Sequence, residues 1–180
     1  MADRESHWQD HIAHIALTDV GMRRANNQDS YTVVLASDQE EWRVRGHFFM
    51  VADGMGAHAA GELASKIAVD GVPHLYRKYR DMSPPEAMQK AIVETNGEVY
   101  RRGQANSDFR AMGTTASALA LLPQGALIGH IGDSRVYRVR DEDDEPTLLA
   151  EGYTAVVTVD DDHKPRALPE AFRRAFSAVT

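Results

Sequence analysis

With 180 residues and no cysteine, the chain has the size of one globular domain, and disulfides, thiolate nucleophiles and thiolate metal sites are excluded. Its 43% hydrophobic residues suffice for a sizeable core, and the net charge of −7 argues against general nucleic-acid binding while suiting a protein that gathers divalent cations through oxygen or imidazole. The first residues are polar, without the apolar core of a signal peptide, and no apolar run approaches membrane-spanning length, so a cytoplasmic location with no membrane partner is expected.

Residues 1–11 read as a polar tail. His7, His11 and His14 have a helical spacing that would suit a transition metal, but residues 12–17 read as a strand, which splits the three. A second strand is expected at 31–36, after a connecting loop at 18–30 rich in Gly, Asn, Asp and Arg. The segment Ser37-Asp38-Gln39-Glu40-Glu41 reads as an exposed turn. Phe48, Phe49, Met50, Val51 and Ala52 make an apolar run too short for a helix and right for a core strand. That strand is expected to end on Asp53, followed by a glycine-rich turn and a helix start. Asp53 has two readings at this point. It is a plain turn or cap residue, or it is a carboxylate at a strand exit partnered by a metal ion, with glycines that let a backbone carbonyl share the coordination shell.

From residue 60, Leu63, Ala64, Ile67, Ala68, Val72 and Leu75 recur at helical spacing, in a helix that Pro73 is expected to kink or divide. A second helix is signposted by Ser83 as N-cap, Pro84 at the first position and Glu86 completing a capping box, with Gly103 as its stop. Strands are expected at 114–122 and 126–131, parted by the turn Pro123-Gln124-Gly125, and again at 135–140 after Gly132-Asp133-Ser134. The acidic run at 141–145 reads as a solvated hairpin loop. Beyond it, 155–159 reads as a strand and 168–179 as a short helix. Asp160-Asp161-Asp162 resembles the start of a calcium loop, but Pro165 stands where that loop needs glycine. Strands, two helices, then strands make an α+β chain with sheet packed against helices.

Asp29, Asp53 and Asp133 each end or follow an apolar strand beside Gly, Asn or Ser. Carboxylates from separate strand ends can converge on one rim of a sheet, where they repel one another without cations. Hard ions such as Mg²⁺ or Mn²⁺ match such ligands. Two ions roughly 3.5–4 Å apart can generate a water nucleophile and neutralise a phosphoryl oxygen. Arg24 would add a planar, bidentate grip on phosphate.

Gly21-Met22-Arg23-Arg24-Ala25-Asn26-Asn27-Gln28-Asp29-Ser30 closely resembles the first motif of the metal-dependent PPM-type (type 2C) Ser/Thr protein phosphatases in their bacterial form. Asp53-Gly54-Met55-Gly56-Ala57-His58-Ala59-Ala60-Gly61-Glu62 is similar to the second. Gly113-Thr114-Thr115-Ala116 and Gly132-Asp133-Ser134-Arg135-Val136-Tyr137 resemble two more, in the same order, so the resemblance covers about residues 12–140. It implies an antiparallel β-sandwich flanked by helices (αββα), and hydrolysis of phosphoserine and phosphothreonine by a metal-activated water. It also implies two or three Mn²⁺ or Mg²⁺ ions, and phosphorylated proteins, the products of a Ser/Thr kinase, as partners.

Carried over residue by residue, the resemblance makes Arg24 the phosphate-binding arginine, Asp53 the carboxylate that bridges two metals, and Gly54 the residue whose carbonyl contacts one of them. Asp29 becomes an acidic residue close to the metal centre, acting through water, and Asp133 a ligand of a third ion. His58 reads either as the general acid for the leaving oxygen or as a structural histidine near a turn, and His130 as a core or sheet residue. Ala57 departs from the glycine usual in the second motif, and nothing after Arg140 matches the Asp-Gly and Asp-Asn motifs that supply two further aspartates. The expected organisation is thus a polar tail at 1–11, the N-terminal portion of a phosphatase domain at 12–140, and a divergent tail at 141–180. The fold would be incomplete at its C-terminus, with sheet edges open to self-association. The alternative function is a catalytically inactive phosphatase-like binding module, or a truncated fragment.

Overall fold

The apolar run at 48–52 lies at the centre of the longest strand. The computed structural model describes residues 12–22, 26–57, 59–138, 147–151, 158–159 and 165–166. Its elements are β1 (Asp29–Val34), α1 (Gln39–Arg45), β2 (His47–Met55), α2 (Ala60–Lys78), α3 (Pro84–Ala105), a 3-10 turn (Ser107–Phe109), β3 (Gly113–Thr114), β4 (Ala116–Leu122), β5 (Gly125–Ile131), β6 (Arg135–Arg138), β7 (Thr147–Glu151), β8 (Thr158–Val159) and β9 (Pro165–Arg166). The main sheet is antiparallel in the order β1-β2-β4-β5, with β3 paired to the end of β2, while β6–β7 and β8–β9 form separate pairs. The class is α+β, as expected.

Strand alternation sends Phe48, Met50 and Ala52 of β2 and Ala116, Ala118 and Ala120 of β4 to one face, where all are buried against α2 and α3. The three β4 alanines make a low floor, so the helices lie close to the sheet. At Gly129 of β5 an added Cβ would stand 2.9 Å from Met88 and 3.0 Å from Ile92, so α3 rests directly on that glycine. Burying Phe48 and Met50 contributes about 1.5–3 kcal/mol each. The α3 start forms as the sequence predicts, with the Ser83–Glu86 capping box in place.

The structure differs from the sequence reading in several places, and β1 begins at Asp29 rather than Tyr31. Residues 12–20 carry no strand, and the His14 ring lies 6.1 Å from that of Phe49, tilted 60° to it. The segment expected as an exposed turn at 37–41 begins α1. Asp38 caps it by accepting from the Glu41 amide at 2.8 Å, a bond that holds the Asp38 carboxyl below the usual range. Pro73 is buried and does not divide α2, which continues across it to Lys78. Strand β2 continues through Asp53 to Met55, so the aspartate lies within the strand rather than at its exit.

Arg45, at the end of α1, is only 2% exposed. Its guanidinium donates to the carbonyls of Val44 at 2.9 Å, Met82 at 3.0 Å and Tyr79, and lies over the Tyr76 ring at 5.2 Å. It thereby takes up carbonyls left open where α2 ends. Residues 1–11, 23–25, 58, 139–146, 152–157, 160–164 and 167–180 lie outside the described residues, and with them His7, His11, Asp160, Asp161 and Asp162.

Candidate metal centre

The β1–β2 register places Asp29 directly opposite Asp53, with Ser30 opposite Ala52 and Tyr31 opposite Val51. Since Ala52 points into the helix-covered core, Asp29 and Asp53 share the other face of the sheet, and both are exposed. Directly opposed residues have Cβ atoms about 4.5–5.5 Å apart, and like charges so placed are destabilising unless something positive joins them. The two carboxylates open into a cleft of about 370 Å³ whose lining includes Asp19, Tyr31, Val51 and Ser134.

The backbone around Asp53 is fixed by partners distant in sequence. Its amide donates to Thr115 Oγ1 at 2.9 Å, and its carbonyl accepts from the Thr115 amide at 2.9 Å and from Thr114 Oγ1 at 3.0 Å. The Gly54 amide donates to the Gln28 carbonyl at 3.1 Å, and Gln28 Nε2 donates to the Gly56 carbonyl at 3.2 Å. Glycine is required here by proximity. An added Cβ at Gly54 would stand 2.1 Å from the Gly61 carbonyl oxygen and 2.6 Å from that of Gln28, so strand, loop and the first turn of α2 meet without a side chain between them. Asp29 is oriented by its own loop, its amide donating to Asn27 Oδ1 at 3.0 Å.

Thr115 has a second role. Its hydroxyl is 3.0 Å from Ser134 Oγ, and Gly132, at φ +106°, packs its Cα side against the Thr115 side chain. The turn between β5 and β6 is thus seated on the residue that grips Asp53, and Ser134 is brought into the acidic cleft. Asp133, expected as a ligand of a third ion, is exposed in that turn and is not among the residues lining the cleft. Among the described residues no three His, Asp or Glu side chains come close enough together to hold one ion. Arg24 and His58 lie outside the described residues. His130 is in β5, its Nδ1 2.9 Å from Ser117 Oγ, in keeping with a sheet residue.

Asp19, Thr115 and Ser134 were not singled out by the sequence. Thr115 and Ser134 stand within recognisable motifs, so the signal for them was present. Asp19 shares the loop of Gly21 and accepts from the Gly21 amide at 2.7 Å, but nothing in its local pattern announces the cleft.

The family model for protein phosphatase 2C matches residues 22–171. The chain belongs to the protein phosphatase 2C family. Protein phosphatase PhpP of Streptococcus pneumoniae is 35% identical over 130 residues, which cover 71% of this chain and 50% of that protein. The crystal structure of the Mycobacterium tuberculosis serine/threonine phosphatase PstP aligns with a TM-score of 0.56 at 31% identity, over 73% of this chain and 51% of that one. A second 2C-family structure, the catalytic domain of PstP in complex with two manganese ions, aligns with the same TM-score and identity over 73% and 52% of the two chains. This chain thus spans about half the length of PhpP, and 27% of the length of the Mycobacterium tuberculosis phosphatase PstP.

Proposed function

We propose that this chain carries the phosphate-hydrolysing rim of a metal-dependent Ser/Thr phosphoprotein phosphatase, with phosphorylated proteins as substrates. The observation that carries the reading is the cross-strand pairing of Asp29 with Asp53. Two carboxylates opposed on an exposed sheet face are an oxygen-only donor set, and Mg²⁺-like ions are commonly held by about one or two carboxylates together with substrate phosphate. The residues therefore fit a hard divalent cation. Asp53 and Asp29 would hold it, with the Gly54 carbonyl as a further oxygen. Manganese is favoured over magnesium because PstP, a relative at 31% identity, was crystallised with two manganese ions. When bound, such an ion activates water and offsets phosphoryl charge.

The chain's own contribution is positional. Three hydrogen bonds between the Asp53 backbone and Thr114 and Thr115 hold it in place, so the carboxylate starts from a fixed strand. The Gly54–Gly61 contact sets the first turn of α2 beside it. Arg24 as the phosphate grip and His58 as the proton donor to the leaving serine or threonine oxygen complete the proposal, on the strength of the motif resemblance, and Asp133 would serve a third ion. Release of phosphate from p-nitrophenyl phosphate in Mn²⁺ tests it. Activity in the wild type that disappears in Asp53→Ala supports the reading. Activity that persists in Asp53→Ala refutes the metal assignment, and none in the wild type favours the non-catalytic alternative.

A further inference from the structure

The hydroxyls beside Asp53 form a chain in which each proton has one place to go. Thr115 Oγ1 is an acceptor, because the Asp53 amide donates to it at 2.9 Å. A threonine hydroxyl still has one proton to give. Among the described residues the acceptor within its reach is Ser134 Oγ, at 3.0 Å. Thr115 is buried, so that proton is turned to Ser134 rather than to solvent. Were Ser134 the donor instead, the Thr115 proton would be buried without an acceptor, which is costly. The polarity therefore runs from the Asp53 amide through Thr115 to Ser134, and the Ser134 proton is the one left over.

The surroundings of Ser134 say what that proton meets. Ser134 is half-buried and lines the acidic cleft together with Asp19, Asp29 and Asp53. Ionised carboxylates accept hydrogen bonds and hold cations, but they have no proton to offer an anion. Among the described residues the Ser134 hydroxyl has no partner besides Thr115, so no carboxylate takes its proton. Two hydrogen bonds separate Ser134 Oγ from the Asp53 amide nitrogen, a distance of at most about 6 Å, so one phosphoryl group can reach both the hydroxyl and the aspartate rim. We propose that Ser134 contacts the substrate, its hydroxyl donating to a phosphoryl oxygen of the phosphomonoester, and that Thr115 is the positioning residue that aims this proton. The inference rests on the phosphatase reading. A donor aimed in advance by a buried neighbour needs no reorientation when the anion arrives. Being neutral, it grips the anion without repelling the cation that the carboxylates would hold.

The test uses the full chain in saturating Mn²⁺. Isothermal titration measures the affinity for phenylphosphonate, a non-hydrolysable mimic of a phosphomonoester, and p-nitrophenyl phosphate gives kcat/KM. Ser134→Ala should weaken phenylphosphonate binding and lower kcat/KM by about tenfold or more, with Mn²⁺ affinity unchanged because Thr115 still holds Asp53. Thr115→Val should cost phosphonate affinity when Ser134 is present and little when it is alanine, since its effect passes through Ser134. Wild-type affinity and kcat/KM in Ser134→Ala, an equal loss of Mn²⁺ affinity in that variant, or additive losses in the double variant would overturn the proposal. Phenylphosphonate binding that depends on Ser134, in a wild type that hydrolyses nothing, would instead sink the phosphatase reading and leave Ser134 standing as an anion contact. A wild type that neither binds phenylphosphonate nor hydrolyses p-nitrophenyl phosphate would overturn both.

Discussion

Two glycine-to-alanine substitutions should change stability in opposite directions, because one methyl has room and the other has none. At Gly54 an ideal Cβ falls 2.1 Å from the Gly61 carbonyl oxygen and 2.6 Å from the Gln28 carbonyl oxygen, both backbone atoms that no rotamer change can remove. Strand β2 and the first turn of α2 must part by about 1 Å before the methyl fits, an overpacking strain of roughly 1–3 kcal/mol. The same movement stretches the bond from the Gly54 amide to the Gln28 carbonyl, now 3.1 Å, which is worth about another 1 kcal/mol. The expected loss is therefore about 3 kcal/mol, a large share of the roughly 5–15 kcal/mol typical of a folded domain. At Gly97, inside α3, the nearest foreign atom to the new methyl is the tip of the Arg101 side chain at 3.5 Å. There alanine should stabilise by about 0.5–1 kcal/mol, through helix propensity and reduced freedom of the unfolded chain. Equilibrium urea unfolding of both variants and the wild type, followed by circular dichroism in EDTA, measures the difference. A Gly54→Ala variant within about 0.5 kcal/mol of the wild type, or no worse than Gly97→Ala, would refute the claimed close approach of strand and helix.

Alkaline pH should destabilise the fold through Tyr76, whose hydroxyl is pushed by burial from its ordinary value of 10.0 up to about 12, with the nearby Arg45 charge opposing. The folded state keeps its proton where the unfolded tyrosine loses it. The contribution is therefore complete below pH 10 and lost as pH rises toward 12, to a total on the order of 3 kcal/mol. Urea midpoints at pH 9, 10 and 11 should fall more steeply for the wild type than for Tyr76→Phe, and parallel slopes would contradict the assignment.

Some of this structure is readable in the residues and some is not, for physical reasons. Ser83, Pro84 and Glu86 announce the start of α3 because a capping box is a local device, complete within four positions. The β2 core is announced by five consecutive apolar residues. Helix α1 is hidden because its N-terminal half is polar and its fully buried member is Arg45, a residue that hydrophobic periodicity counts as exposed. Residues 12–17 are apolar but for His14, which suggests a strand, yet β1 ends the sheet on that side and they do not join it. Asp29 and Asp53 were legible as candidates, but their opposition depends on a register set by the whole β1–β2 pair. The grip of Thr115 on Asp53 joins residues 62 apart, which no local pattern encodes.

The central claim is that Asp29 and Asp53 form a cation-binding rim. Isothermal titration of the full chain with MnCl₂, beside Asp53→Asn shown by circular dichroism to be folded, tests it most directly. The account predicts saturable Mn²⁺ binding to the wild type and its loss in the variant. An unchanged isotherm in Asp53→Asn, or no binding to the wild type, would contradict it.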